Sequence, residues 1–240
     1  MQANAFPEFS GFTESSITFL QQLSENNDKA WFDLNKNVYL ENIQKPALAF
    51  ISELGERLKT ISLGIEYDTR TNGSGSLMRI YRDIRFSKDK RPYHTRIRMV
   101  FWEGPGKRTD NPGYFLVFDP GGITVYAGMH MFSKPLLETF RNAVMDDQVG
   151  EELQTAIESV HNAGDYVVGG EQYKRIPTGF DPNHPRAYLL LFKGLHAISP
   201  KINPQFLFKP ELVDLCFEHC KNMAPLHKWL VTLNELAHSD

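Results

Sequence analysis

The sequence predicts an α+β protein: an antiparallel meander of about four or more strands, packed with N-terminal and C-terminal helices. Three observations predict it. Apolar residues recur at helical spacing in the first and last thirds of the chain, and they alternate at strand spacing in the middle third. Short turn signals separate the alternating runs, which favours antiparallel neighbours over long crossovers. No internal repeat, low-complexity stretch or long linker divides residues 1–240, so one α+β domain is expected.

Taken in order, Ser10 or Thr13 is placed to cap a first helix with Ile17, Phe19, Leu20 and Leu23 on one side. The polar break Ser24–Asp28 ends it, and Asn27 or Asp28 caps a second helix carrying Trp31, Phe32, Leu34, Val38 and Tyr39. Lys45-Pro46 is expected to reset the chain before a third helix, Ala47–Leu58. Thr69–Ser76 reads as a loop. In Leu77–Phe86, alternation puts Met78, Ile80, Arg82, Ile84 and Phe86 on one strand face, with Arg79, Tyr81, Asp83 and Arg85 on the other. Ser87–Pro92 is the turn. Tyr93–Trp102 alternates again, with Ile97, Met99 and Phe101 opposed to His94, Arg96, Arg98, Val100 and Trp102. Pro120-Gly121-Gly122 joins two further runs as a hairpin. Ser133 caps a helix with Pro135 in its first turn, and Glu151–His161 forms the next. Pro185–Phe192 is apolar enough to be buried. Lys209-Pro210 and Pro225 are expected to open the last two helices.

Composition is that of an ordinary globular chain, with a net charge of −3. That balance argues against a protein whose whole surface coats nucleic acid or membrane. Arg79–Arg98 is the exception: eight Lys or Arg against two acids, a local charge of +6 that leaves −9 on the other residues. No signal-peptide pattern or apolar run of membrane-spanning length occurs, and a soluble, cytoplasmic setting is expected.

A cationic strand pair has two physical uses. Arginine forks bind carboxylates or phosphates, and they also form ion-pair ladders, here with acids such as Glu41, Glu53 or Glu56. Arg82, on an otherwise apolar face, requires a partner, since an unpaired buried guanidinium costs several kcal/mol. Asp83, among arginines, is expected to have a lowered pKa and to orient an arginine. The expected function is binding of a small phosphate- or carboxylate-bearing ligand, extended to hydrolase or transferase chemistry. The candidate binding residues are Arg79, Arg82, Arg85, Lys88 and Lys90. The candidate catalytic group is Asp83, Tyr93 and His94, with the last two as proton donors. Trp31, Asn35 and Tyr39 drift along one helical face, a stripe that suits a sugar or base but equally suits packing. A nucleic-acid-binding module is the alternative, with Tyr81, Phe86, Tyr93 and Phe101 interleaved among the cations; a purely structural ion-pair network is the other. Cys216, His219 and Cys220, with His227 beyond them, have one-face helical spacing, but structural zinc sites usually draw ligand pairs from separate segments, so no metal is assigned. His130 and His184 are lone histidines. The residues name no cofactor.

The basic stretch RIYRDIRFSKDKRPYHT resembles the signature of domain of unknown function 2461. Leu23–Pro46 is similar to that family's N-terminal helical motif. Gly113–Arg141 is similar to its central hairpin and following helix, and Pro177–Leu195 to its C-terminal motif. His94 stands where the family's pattern has lysine. The resemblance spans nearly the whole chain and implies a cytoplasmic, single-domain protein. It implies no activity.

Overall fold

A computed structural model of the chain describes residues 7–170 and 172–238. Helix α1, Glu14–Glu25, begins with a reciprocal cap: the Thr13 side chain accepts from the Ser16 amide while Ser16 Oγ accepts from the Thr13 amide. Phe19, Leu20 and Leu23 form its buried stripe. Helix α2, Lys29–Tyr39, is capped by Asp28, which accepts from the Trp31 amide at 3.0 Å. The expected break at Lys45-Pro46 does not occur. One π-helical turn, Leu40–Gln44, leads without interruption into α3, Lys45–Leu58. The wider turn shifts the bonding register at Pro46, and the Asn42 carbonyl four residues before the proline accepts from the Ser16 hydroxyl of α1 at 2.6 Å instead.

The sheet has six strands: β1 Ile65–Glu66, β2 Ile97–Glu103, β3 Gly113–Asp119, β4 Gly122–Met129, β5 Val167–Gly169 and β6 Leu195–Ile198. Their order is β1-β2-β3-β4-β6-β5, and every neighbouring pair is antiparallel. Pro120-Gly121 joins β3 to β4 and sets Asp119 opposite Gly122. Gly122 has φ +127°, and a Cβ there would lie 2.1 Å from the Ile202 carbonyl oxygen, so this turn requires glycine. Period-2 alternation sends Met99, Phe101, Leu116, Phe118, Val125 and Ala127 into the core. Helix α6, Leu212–His238, crosses that core side against β4 and β6. It runs through Pro225, where a new helix start was expected. Met223, Leu226 and Leu230 are fully buried around the proline, and their packing holds the helix on course. Helix α4, Lys134–Met145, is capped by Ser133, and α5, Asp147–Asn162, by Asp146. Ala187–Leu191 is a short 3₁₀ turn with Ala187, Leu189 and Leu190 buried. No helix among the described residues is long and apolar enough to cross a membrane.

Leu77–Phe86 and Tyr93–Arg96 are not regular strands, which corrects the expectation for this segment. They form an irregular arm with two isolated bridges, Leu77 to Met99 and Tyr81 to Tyr93. Four main-chain bonds of 2.7–3.0 Å, such as His94 N–H to Ile80 O, keep it roughly paired. The cause is local. Asp83 and Asp89 each accept a bond from the amide two residues on, at Arg85 and Arg91, and the same carboxylates take those arginines' side chains. Such turns compete with a ladder. The expected faces dissolve with it: Ile80 is buried while Phe86 is 96% exposed.

At the end of β2, the Glu103 carboxylate sits 2.8 Å from His227 Nε2 of α6 and also takes bonds from the Ser62 hydroxyl and the Gly64 amide. Burial would raise its pKa, but the bonds from His227 and Ser62 outweigh it and hold the carboxyl below its ordinary 4.5. This pair joins the end of β2 to the core helix. His227→Leu is expected to lower stability by about 1–3 kcal/mol, since it leaves a part-buried carboxylate short of a donor. Urea denaturation reads the loss; an unchanged midpoint contradicts it.

Candidate functional site

The sheet face turned away from the core carries Arg98 and Val100 of β2, Phe115 and Val117 of β3, Tyr126 of β4 and His196 of β6. Pairing sets them in rows. Val100 lies opposite Phe115 and Phe115 opposite Tyr126; Gly113 lies opposite Gly128 and Gly128 opposite His196. The arm passes over one side of this face. Between arm and sheet lies a cleft of about 900 Å³, within the usual size of small-molecule sites.

Five arginines line the cleft: Arg82, Arg91 and Arg96 from the arm, Arg98 from β2, and Arg108 from the loop after β2. Asp89 is the carboxylate among its lining residues. Asp89 bridges Arg91 at 2.7 Å and Arg82 at 2.9 Å, and Arg82 also donates to the Arg91 carbonyl at 2.8 Å. The requirement that Arg82 have a partner is thus met twice. Arg108 donates to the carbonyls of Gly73 and Gly75 and so ties the 69–76 loop to the segment after β2. Arg98 reaches the Arg79 carbonyl at 3.3 Å, and among the described residues neither Arg96 nor Arg98 meets a carboxylate. Burial, and then the neighbouring Arg96, push the Arg98 pKa down. Burial and the guanidiniums of Arg98, Arg82 and Arg96 push His94 down to about 4. Burial is the larger cause, and the three guanidiniums act in the same direction.

Of the residues singled out from sequence, the structure brings Arg82, Tyr93 and His94 together at the cleft. The remainder lie elsewhere. Asp83 forks with Arg85 on the arm's outer side, which holds the Asp83 carboxyl down to about 2. Arg79 donates to the Asn72 carbonyl and Lys90 to the Ile84 carbonyl, while Lys88 is exposed. Tyr39 is buried beside Phe19 and Phe32; Trp31 packs against Phe19, and Asn35 bonds the Trp31 carbonyl. Those three belong to helix packing. Glu41, Glu53 and Glu56 pair with Lys45, Arg57 and Lys59, none of which is on the arm. Cys216 and Cys220 are fully buried thiols, His219 Nδ1 lies 2.7 Å from the Tyr166 hydroxyl, and among the described residues no three His, Cys, Asp or Glu side chains form a metal cluster.

Sequence reasoning missed Arg108, His196, Phe115 and Tyr126 as cleft residues. The two-residue turn at Pro120-Gly121 is the signal for the last two, because it fixes Phe115 opposite Tyr126. His130 and His196 needed the fold: their rings meet at 6.1 Å from distant strands.

Because the folded pKa of His94 lies below its usual 6.5, the unfolded chain takes up a proton first as pH falls. The His94 contribution to stability is therefore present above about pH 6.5 and lost between 6.5 and about 4. Thermal melts across that range should show a smaller decline in His94→Gln than in the parent. Superimposable pH profiles contradict the assignment.

No curated protein sequence matches the chain. A family model described as "Conserved hypothetical protein (DUF2461)" matches residues 15–229, a span that holds the arm, the sheet and the cleft-lining residues. The chain belongs to the DUF2461 family.

Proposed function

We propose that the cleft binds a small anionic ligand bearing a phosphate or carboxylate group. The observation that carries this reading is the imbalance of charge at the cleft: five guanidiniums face one carboxylate, and that carboxylate is already taken by Arg82 and Arg91. Arg96 and Arg98 are the principal anion contacts, with Arg82 held ready by Asp89. An anion seated there offsets the charge repulsion that, after burial, depresses Arg98 and His94. The proposal extends to hydrolase or transferase chemistry, with Tyr93 and His94 as the proton-transfer groups that line the cleft. Free, buried Cys216 and Cys220 support a reducing, cytoplasmic setting.

Titration calorimetry of the full chain with pyrophosphate and with succinate tests the reading. At least one is expected to bind, more weakly as salt rises. Arg96→Ala and Arg98→Ala should each weaken it about 10-fold or more, as loss of a charge-assisted hydrogen bond costs about 1.5–3 kcal/mol. Absence of binding by either anion, or full affinity in the double variant, refutes it.

A second reading has one observation in its favour. Phe86, almost wholly exposed at the arm's tip, stands among Arg85, Lys88 and Lys90, a stacking ring beside backbone-binding cations. In a low-salt gel shift with single-stranded oligonucleotides, this reading expects a complex that Phe86→Ala weakens and salt removes. No complex at low salt removes it.

A further inference from the structure

The cleft is polar in one direction. Its cationic side chains come from the arm, from β2 and from the loop after β2. The side formed by β3, β4 and β6 presents rings instead. Phe115 and Tyr126 lie 6.0 Å apart, Tyr126 and His196 6.2 Å, and His196 and His130 6.1 Å. Phe115, Tyr126 and His196 make a strip that crosses β3, β4 and β6 one ring to a strand, and His130, just past the end of β4, stands beside its last ring. Phe115 and Tyr126 are half-exposed on the open face, so their rings are available to a ligand. Beside them, Gly113 and Gly128 face each other in register and leave bare backbone on the cleft floor.

The span between the two sides follows from the strand order. Arg98 is on β2 and His196 on β6, three strand spacings away. His196 also lies four residues further along the strands, since the row of Arg98 meets β4 at Thr124 and that of His196 at Gly128. At about 4.8 Å per spacing and about 3.3 Å per residue the two backbones are about 19 Å apart. A lone phosphate or a short dicarboxylate is too small to engage both sides. The ring side also lacks the lysine or arginine that a second carboxylate would need. What it offers is stacking surface and imidazole edges. His196 lines the cleft with its ring between those of Tyr126 and His130, and its edge is a hydrogen-bonding group at the far end of the strip.

We infer that the ligand of this cleft is a nucleotide, with its phosphates on Arg96 and Arg98 and its base stacked along Phe115 and Tyr126 with an edge at His196. The inference rests on the anion-binding reading above and specifies its ligand. A heteroaromatic base has a π-face for the rings and polar edge atoms for the imidazole.

The test compares ADP, pyrophosphate and adenosine by calorimetry on the full chain. ADP is expected to bind at least 10-fold more tightly than pyrophosphate. Tyr126→Leu and His196→Gln should each shrink that advantage while leaving pyrophosphate affinity unchanged, and retained pyrophosphate binding shows that each variant is folded. Equal affinity for ADP and pyrophosphate, both lost in Arg98→Ala, overturns the nucleotide inference and leaves the anion site standing. A tighter ADP complex that neither ring variant affects also overturns it. No binding by any of the three overturns the nucleotide inference, and the anion reading falls with it when succinate also fails to bind.

Discussion

Two hydrogen bonds hold the site in place. The Asn27 side chain accepts from the Tyr93 amide and donates to the Tyr93 carbonyl, each at 3.0 Å. In effect one side-chain amide stands in for a neighbouring strand and ties the α1–α2 turn to the arm. The arm has no regular ladder of its own, so this anchor and a few main-chain bonds decide where Tyr93 and His94 lie. Stacking reinforces the anchor: Phe32 of α2 lies 4.2 Å from the Tyr93 ring at an interplanar angle of 15°. The helices at the N-terminus therefore do not supply charge to the site. They supply its position.

The arm's charge is divided by the same local chemistry that breaks its strands. Asp68, Asp83 and Asp89 each precede an arginine by two residues, and each binds that arginine's amide and side chain. Those exposed pairs shape turns and contribute little to stability. They also remove Arg70, Arg85 and most of Arg91 from the pool of available cations. Arg96 and Arg98 have no acid two residues before them, and among the described residues neither meets a carboxylate. The pattern thus neutralises Arg85 outside the cleft and Arg91 at its lining, and leaves Arg96 and Arg98 uncompensated.

The α+β class was legible because Ile97, Met99 and Phe101 alternate cleanly and because Pro120-Gly121 permits one hairpin register. The helix caps at Asp28 and Ser133 were legible for a similar reason: each needs a side-chain oxygen in one place. The arm misled because its alternation of Ile and Arg imitates a strand, while the decisive bonds belong to Asp83 and Asp89. Pro46 and Pro225 misled because a π turn in one case, and core packing in the other, absorb a residue that local rules treat as a break. At the cleft, the demand that Arg82 find a partner followed from burial cost alone. The pairing of His130 with His196 did not, since only the β4–β6 neighbourhood brings those rings together. Trp31, Asn35 and Tyr39 had the spacing of a binding stripe, and helix packing claimed them.

The central claim is that the positive field at the cleft is built to be met by an anion. Histidine NMR reads that field at one atom set: the titration of His94, held at about 4 by burial and by Arg98, Arg82 and Arg96, followed without and with saturating pyrophosphate. The account predicts a pKa that rises toward the ordinary histidine value when the anion is bound, because the bound charge offsets the three guanidiniums. A His94 pKa already at 6.5 in the free protein, or one that stays near 4 with the anion bound, contradicts it.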